Sequence, residues 1–153
     1  MSIFGIGPLL VLAGGAGFGF GKFAEAYFGV SFRLHGLALA GASLLAALLL
    51  LAGLYFWIGA VIQLRLGHGK NELLTGGVYA RCRNPMYAAF ILFLAPALAL
   101  LLNNLYYLCA PALMYAAFDS LIEREEKFLL EKFGPAYEAY AGRTPQLLPK
   151  LFS

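Results

Sequence analysis

Residues 36–62 read GLALAGASLLAALLLLAGLYFWIGAVI, 27 consecutive positions without an Asp, Glu, Lys, Arg or His. At 1.5 Å per residue a helix of that length spans about 40 Å. A bilayer offers roughly 30 Å of hydrocarbon, so the stretch predicts a transmembrane helix that tilts or projects beyond it. Other apolar runs lie around it. Residues 3–20 form an apolar run crowded with glycine, and residues 86–102 and 105–121 are two shorter spans separated by Asn103-Asn104. That Asn pair reads as a tight turn joining a helical hairpin. The expected fold is an all-α integral membrane protein of about four transmembrane helices plus an amphipathic C-terminal helical segment.

Composition agrees. The chain has 153 residues, of which 61% are hydrophobic and 12% charged, where a soluble domain carries about 25% charge. So little charge cannot cover a water-exposed surface of this size. The length allows a single membrane domain over 1–153, with two N-terminal spans in 1–63 and a polar loop, the hairpin and a C-terminal cap in 64–153. The net charge of +3 is scattered, without the basic run that tracks a nucleic-acid backbone. Cys82 and Cys109 stand apart and in no Cys/His cluster, so no metal site is expected. No basic flank precedes the first run, which reads as a retained helix.

In the first span Gly5, Gly7, Gly14, Gly15, Gly17, Gly19 and Gly21 predict close backbone contact with a neighbouring helix, within this chain or across a dimer. Pro96 and Pro111 fall inside the hairpin spans and predict kinks, space for a ligand, or packing that compensates for them. Nine of the eleven Lys and Arg lie in the loop (Arg65, Lys70, Arg81, Arg83) or the tail (Arg124, Lys127, Lys132, Arg143, Lys150), leaving only Lys22 and Arg33 elsewhere. Four spans put loop and tail on one side, which the positive-inside rule makes cytoplasmic together with both termini.

The tail holds the sharpest anomaly. Between residues 118 and 133, Phe118, Leu121, Ile122, Phe128, Leu129, Leu130 and Phe133 fill one arc of a helical wheel, and Glu123, Arg124, Lys127 and Glu131 the opposite one. Glu125 falls inside the apolar arc and Glu126 within its edge. A buried carboxylate is costly unless it is paired or hydrogen-bonded, and Arg81 and Arg83 are the candidate partners; pairing with lysines at headgroup level is the plainer alternative. The stretch Gly77-Val78-Tyr79-Ala80-Arg81-Cys82-Arg83-Asn84-Pro85-Met86-Tyr87 is the second concentration of polar groups. Pro85 suits a first helical turn, and Tyr79 and Tyr87 can stack on a base or face a cation, or sit in the interfacial aromatic belt. Gly134-Pro135 reads as a helix stop, followed by Tyr137, Tyr140 and Arg143 as a cap or a surface segment. His35 and His68 have no partners at ligand spacing.

Gly77-Val78-Tyr79, Arg83-Asn84-Pro85-Met86-Tyr87, Glu125-Glu126, Phe133-Gly134, Tyr137 and Tyr140, in this order and spacing, resemble the isoprenylcysteine carboxyl methyltransferase family over residues 70–149. The resemblance implies a membrane enzyme with an S-adenosylmethionine site at the cytoplasmic surface, closed by the C-terminal segment. By that analogy Tyr79, Arg83, Asn84, Pro85, Met86, Tyr87, Glu125 and Glu126 line the cofactor pocket. Arg83 and one of the glutamates, taken as Glu126 with Glu125 the alternative, are implied as the polar pair at the methyl-transfer centre. One glutamate can engage the donor's ammonium group, no metal takes part, and a lipid or lipophilic substrate enters from the bilayer between helices. The carboxyl methyltransferases commonly carry His where this chain has Asn84. Asn84-Pro85-Met86-Tyr87 is also similar to phosphatidylethanolamine N-methyltransferases, which share the paired glutamates, so carboxylate and amine acceptors both stand. A carboxylate acceptor needs a cation to steer it, and an amine needs a base such as Glu125 or Glu126. A non-catalytic membrane scaffold or small transporter is the reading from another class. A transporter would be expected to carry ionisable groups near the middle of its spans, and residues 36–62, 86–102 and 105–118 hold no Asp, Glu, Lys, Arg or His.

Overall fold

The computed structural model describes residues 5–67 and 72–150. Seven α-helical segments are described: α1 (Gly7–Phe28), α2 (Gly36–Gly67), α3 (Val78–Arg81), α4 (Pro85–Ala88), α5 (Ala95–Leu101), α6 (Cys109–Phe133) and α7 (Pro135–Arg143). A π-helical turn, Ala89–Leu94, fuses α4 to α5, and a 3-10 turn, Leu105–Leu108, leads into α6. Helices are what an apolar solvent demands, because each satisfies its own backbone hydrogen bonds. Gly7–Phe28, Gly36–Gly67 and Leu105–Phe133 are long and apolar enough to cross a membrane, and Pro85–Leu101 is a shorter apolar helix. The chain is thus an all-α integral membrane protein, with three helices long enough to cross a bilayer and one shorter apolar helix among the described residues.

Several boundaries differ from those expected. The start of the first span at Ile3 lies outside the described residues, as do His68 and Lys70 of the polar loop. α1 runs on to Phe28, where Gly29 takes a left-handed φ of 63° and its N–H reaches the Glu25 carbonyl at 3.1 Å. α2 continues five residues past Ile62 and carries Gln63 and Arg65 with it. Its only buried positions are Ala42, Ala46, Gly53, Phe56 and Ala60, while leucines such as Leu37, Leu48 and Leu51 stand open; hydrocarbon is their solvent.

The hairpin turn is the expected Asn pair. Asn103 adopts φ 50° and grips the α1–α2 connection, accepting from the Leu34 N–H at 2.9 Å and donating to the Leu34 carbonyl at 3.1 Å. Asn104 caps the 3-10 turn by accepting from the Tyr106 N–H at 3.1 Å. The prolines act differently from one another. Pro96 sits in the helix interior, where its ring excludes the ordinary bond to the preceding turn. Just before it the helix widens into the π turn, and the Ala95 N–H reaches back to the Phe90 carbonyl. Pro111 lies in the first turn of α6, where no intrahelical bond is lost, and it makes no break. The last span and the amphipathic C-terminal segment form one element: α6 runs unbroken from Cys109 to Phe133, because no Gly or Pro follows Pro111 within it. The expected stop at Gly134 holds, with φ 54°, but Pro135 at once begins α7.

α1 packs chiefly on α6, and α2 on the Pro85–Leu101 helix, so the two N-terminal helices lean on different arms of the hairpin. α1 buries Leu10, Gly14, Gly17, Gly21 and Ala24, an alternating four-and-three spacing that makes one seam along the helix. A Cβ on Gly17 would run into the Ala110 backbone, and one on Gly21 would come within 2.9 Å of the Tyr106 carbonyl oxygen. Gly15 and Gly19 face open space. Gly14, Gly17 and Gly21 therefore serve contact within the chain, and close backbone approach holds α1. Accordingly, Gly17→Leu should lower the thermal unfolding temperature in detergent, by overpacking of about 1–3 kcal/mol, while Gly15→Leu should leave it unchanged. Equal stability of the two variants would contradict the seam.

Candidate functional site

At the end of the bundle away from the Asn103 turn, the loop, the tail and the last turns of α6 converge. The tail straps the segment that precedes α4. Arg83 N–H donates to the Pro145 carbonyl at 2.8 Å, Asn84 N–H to the Gln146 carbonyl at 3.2 Å, and Lys150 N–H to the Arg81 carbonyl at 3.0 Å. The Asn84 side-chain amide adds a 3.0 Å bond to the same Gln146 carbonyl, and the Tyr140 hydroxyl donates to the Tyr79 carbonyl at 2.7 Å. These bonds satisfy backbone groups that have no helical partner. Thr144 and Leu147 are buried beneath the strap. Arg81, Arg83, Arg143 and Lys150 thereby gather at one end. At the other end, the exposed Lys22 and Arg33 both lean on Glu25, at 3.4 and 3.1 Å.

Arg83 and Glu126 meet at 3.0 Å, with side chains 16% and 23% exposed. The approach is electrostatic rather than a formed hydrogen bond, since Arg83 Nε and Glu126 Oε1 are both buried without a hydrogen-bond partner. Such groups are costly to leave unmet, although Glu126 Oε1 keeps the Arg83 Nη1 charge at 3.0 Å. They stand on the wall of a cleft of about 460 Å³ between α6 and α7, which Glu123, Lys127, Tyr137 and Glu138 also line. Tyr137 titrates above the usual tyrosine range because of burial first and the Glu126 carboxylate second, with Arg83 opposing.

Glu125 has other partners. Its Oε1 accepts the Ile6 N–H at 2.6 Å and the Tyr87 hydroxyl at 3.0 Å, and its Oε2 lies 3.2 Å from the same hydroxyl. Of the arginines expected to pair with the two glutamates, Arg83 takes Glu126, while Arg81 lies over the Tyr55 ring at 5.8 Å. The wheel was also too broad: Phe118 and Ile122 are buried, but Phe128 and Leu130 are 40% and 46% exposed, because α6 meets its neighbours along a narrow stripe. Of the eight residues expected around a cofactor, Arg83 and Glu126 line the cleft. Tyr79, Met86 and Tyr87 pack on the core behind it, Pro85 is fully buried, and Asn84 spends its amide on the tail. Sequence reasoning had no signal for the Ile6 amide, 119 positions from its acceptor. Among the described residues no cluster of His, Cys, Asp and Glu could hold a metal ion.

Residues 63–136, from the end of α2 to the start of α7, match the phospholipid methyltransferase family. Over 80 residues the chain is 32% identical to a probable protein-S-isoprenylcysteine O-methyltransferase of Oryza sativa subsp. indica, covering 52% of this chain and 42% of the relative. Over 81 residues it is 33% identical to the protein-S-isoprenylcysteine O-methyltransferase of Schizosaccharomyces pombe, covering 52% and 34%. The cobalt-zinc-cadmium resistance protein CzcN of Cupriavidus metallidurans is 34% identical over 86 residues, covering 56% and 39%. The chain thus spans less than half the length of these relatives, and the family-matched residues 63–136 include Arg83, Tyr87, Glu125 and Glu126.

The strap has a pH signature. Burial pushes the Tyr79 hydroxyl and the Cys82 thiol up to about 12, and raises Tyr140 as well. All three are neutral when folded, and in an unfolded chain they ionise near pH 8.5 for Cys and about 10 for Tyr. Their contribution is therefore complete below about pH 8.5 and is lost as pH climbs towards 12. The unfolding temperature should be flat from about pH 6 to 8 and fall above about pH 9, with Tyr140→Phe lowering it throughout by removing the bond to Tyr79. An unfolding temperature constant to about pH 11 would contradict this.

Proposed function

We propose that this chain, whose residues 63–136 match the phospholipid methyltransferase family, is a membrane methyltransferase that uses S-adenosylmethionine and methylates a lipophilic acceptor. The observation that carries the reading is the Arg83–Glu126 ion pair on the cleft wall, with the buried Arg83 Nε left without a hydrogen-bond partner. The cleft's volume of about 460 Å³ falls within the range of about 300–1,000 Å³ typical of small-molecule sites. Its residues fit the donor's groups. Glu123, Glu126 and Glu138 offer carboxylates to an ammonium, Lys127 and Arg83 offer cations to a carboxylate, and Tyr137 offers an aromatic face.

S-adenosylmethionine supplies an electrophilic methyl group on a sulfonium, and its transfer by in-line displacement requires no covalent protein intermediate. What the protein must supply is proximity and alignment. Arg83, fixed through its backbone by Pro145, would steer an acceptor carboxylate. Glu126 balances that guanidinium and would take the proton that an amine acceptor has to lose. A carboxylate acceptor of the isoprenylcysteine kind is supported by the plant and yeast relatives. The phospholipid methyltransferase match supports the alternative, an amine in a lipid headgroup. The acceptor's lipid tail would lie among the bilayer-facing helices and its head at the cleft. The arginine-rich end would face the cytoplasm with both termini.

Calorimetric titration of detergent-purified protein with S-adenosylhomocysteine should show saturable one-to-one binding. Arg83→Ala and Glu126→Ala should each cut turnover by about 10²–10³ while the protein stays folded. Wild-type turnover in both variants would remove the pair from the reaction centre. Absence of binding by folded protein in lipid nanodiscs would point instead to a non-catalytic scaffold.

A further inference from the structure

Glu125 and Glu126 are adjacent on α6, yet only Glu126 borders the cleft. Glu125 turns the other way and uses its carboxylate inside the protein. Its oxygens receive the Ile6 N–H at 2.6 Å and the Tyr87 hydroxyl at 3.0 and 3.2 Å. The three groups belong to the start of α1, to α4 and to α6, so a single carboxylate ties three elements together. Two further features show that the chain is built around this contact. α1 has Ile6 at its N-cap and no side-chain cap of its own, so the Glu125 carboxylate supplies the missing acceptor and a negative charge at the positive end of a helix. Gly5 passes so close above it that a Cβ there would strike Glu125 Oε1 and come within 2.7 Å of the Tyr87 hydroxyl, and Gly5 itself has φ 51°.

We propose that Glu125 is a positioning residue, the centre of a joint that docks α1 onto α6 and Tyr87 and fixes the rotation of α6 so that Glu126 faces Arg83. What the joint serves rests on the methyltransferase reading; the joint itself does not. On this account Glu125 makes no contact with the methyl donor. Its work is done by oxygen acceptors, and a glutamine oxygen can take over much of it. A ligand for an ammonium group would instead need the charge.

The test compares Glu125→Gln, Glu125→Ala and Tyr87→Phe in the full chain, reading S-adenosylhomocysteine affinity, turnover and hydrogen–deuterium exchange of residues 5–12. Glu125→Gln should hold affinity within about twofold and turnover within about threefold of wild type, because the acceptor survives. Glu125→Ala should hold affinity within about threefold but lower turnover about tenfold and speed exchange over residues 5–12 about tenfold, as loss of a charge-assisted bond requires. Tyr87→Phe should move turnover and exchange in the same direction by less, and it keeps the test open if Glu125→Ala fails to fold. An affinity loss of about a hundredfold in Glu125→Gln with unchanged exchange would make Glu125 a ligand of the donor and overturn the proposal. Unchanged exchange in Glu125→Ala and Tyr87→Phe alike would overturn it too. If the wild type binds no S-adenosylhomocysteine, the methyltransferase reading falls, and exchange alone decides whether the joint exists.

Discussion

Two carboxylates one residue apart on a helix point about 100° away from each other, and each must find a partner if it leaves water. The architecture at the functional end of this protein follows from how Glu125 and Glu126 meet that demand. Glu126 meets the Arg83 guanidinium at 3.0 Å. Arg83 can stand there because its backbone is held by the tail at Pro145, so the tail, the loop and α6 become one unit. Glu125 meets neutral donors from Tyr87 and Ile6, which adds α4 and the beginning of α1. Five parts of the chain are thus organised by two neighbouring side chains, and only one of those side chains is left facing the cleft.

The glycine seam makes the second half of that arrangement possible. With Gly14, Gly17 and Gly21 against Met114, Ala110 and Tyr106, α1 can lie close along α6. Its first turn then reaches Glu125 at the far end of the same contact. The Asn103 side chain anchors the opposite end by pairing with both backbone groups of Leu34. α2 seats Ala42, Ala46, Gly53, Phe56 and Ala60 against the Pro85–Leu101 arm and leaves most of its leucines exposed. Each N-terminal helix thus packs through a line of mostly small residues and turns its larger apolar side chains outward.

Much of this was legible in the sequence. Charge-free runs marked the spans, Asn103-Asn104 marked the hairpin, Pro85 marked a helix start, and the crowd of glycines in the first span marked close packing on a neighbour. The anomalous position of Glu125 and Glu126 on the wheel was visible as well, and it identified the region where the cleft lies. What was hidden depends on contacts distant along the chain or on the absence of a breaker. The span at 105–121 and the amphipathic stretch at 118–133 were both legible, and α6 carries them as one helix because a change of solvent does not end a helix. The π turn before Pro96 is a local accommodation that the proline alone does not specify. The partners of Glu125 lie 38 and 119 positions away, and periodicity along one helix carries no information about them. The Asn84 side chain read as a site residue, and its amide also ties the tail through the Gln146 carbonyl, a contact 62 positions away that no local pattern encodes.

Placing the methyl donor between α6 and α7 is the central claim of this account, and ultraviolet crosslinking of methyl-tritiated S-adenosylmethionine to the intact protein in nanodiscs tests it most directly. Peptide mapping should find the label in the segments that wall the cleft, around Arg83 or between Glu123 and Gly142, and an excess of unlabelled S-adenosylhomocysteine should abolish it. Label that is absent from those segments, or that survives the competitor, would contradict the account.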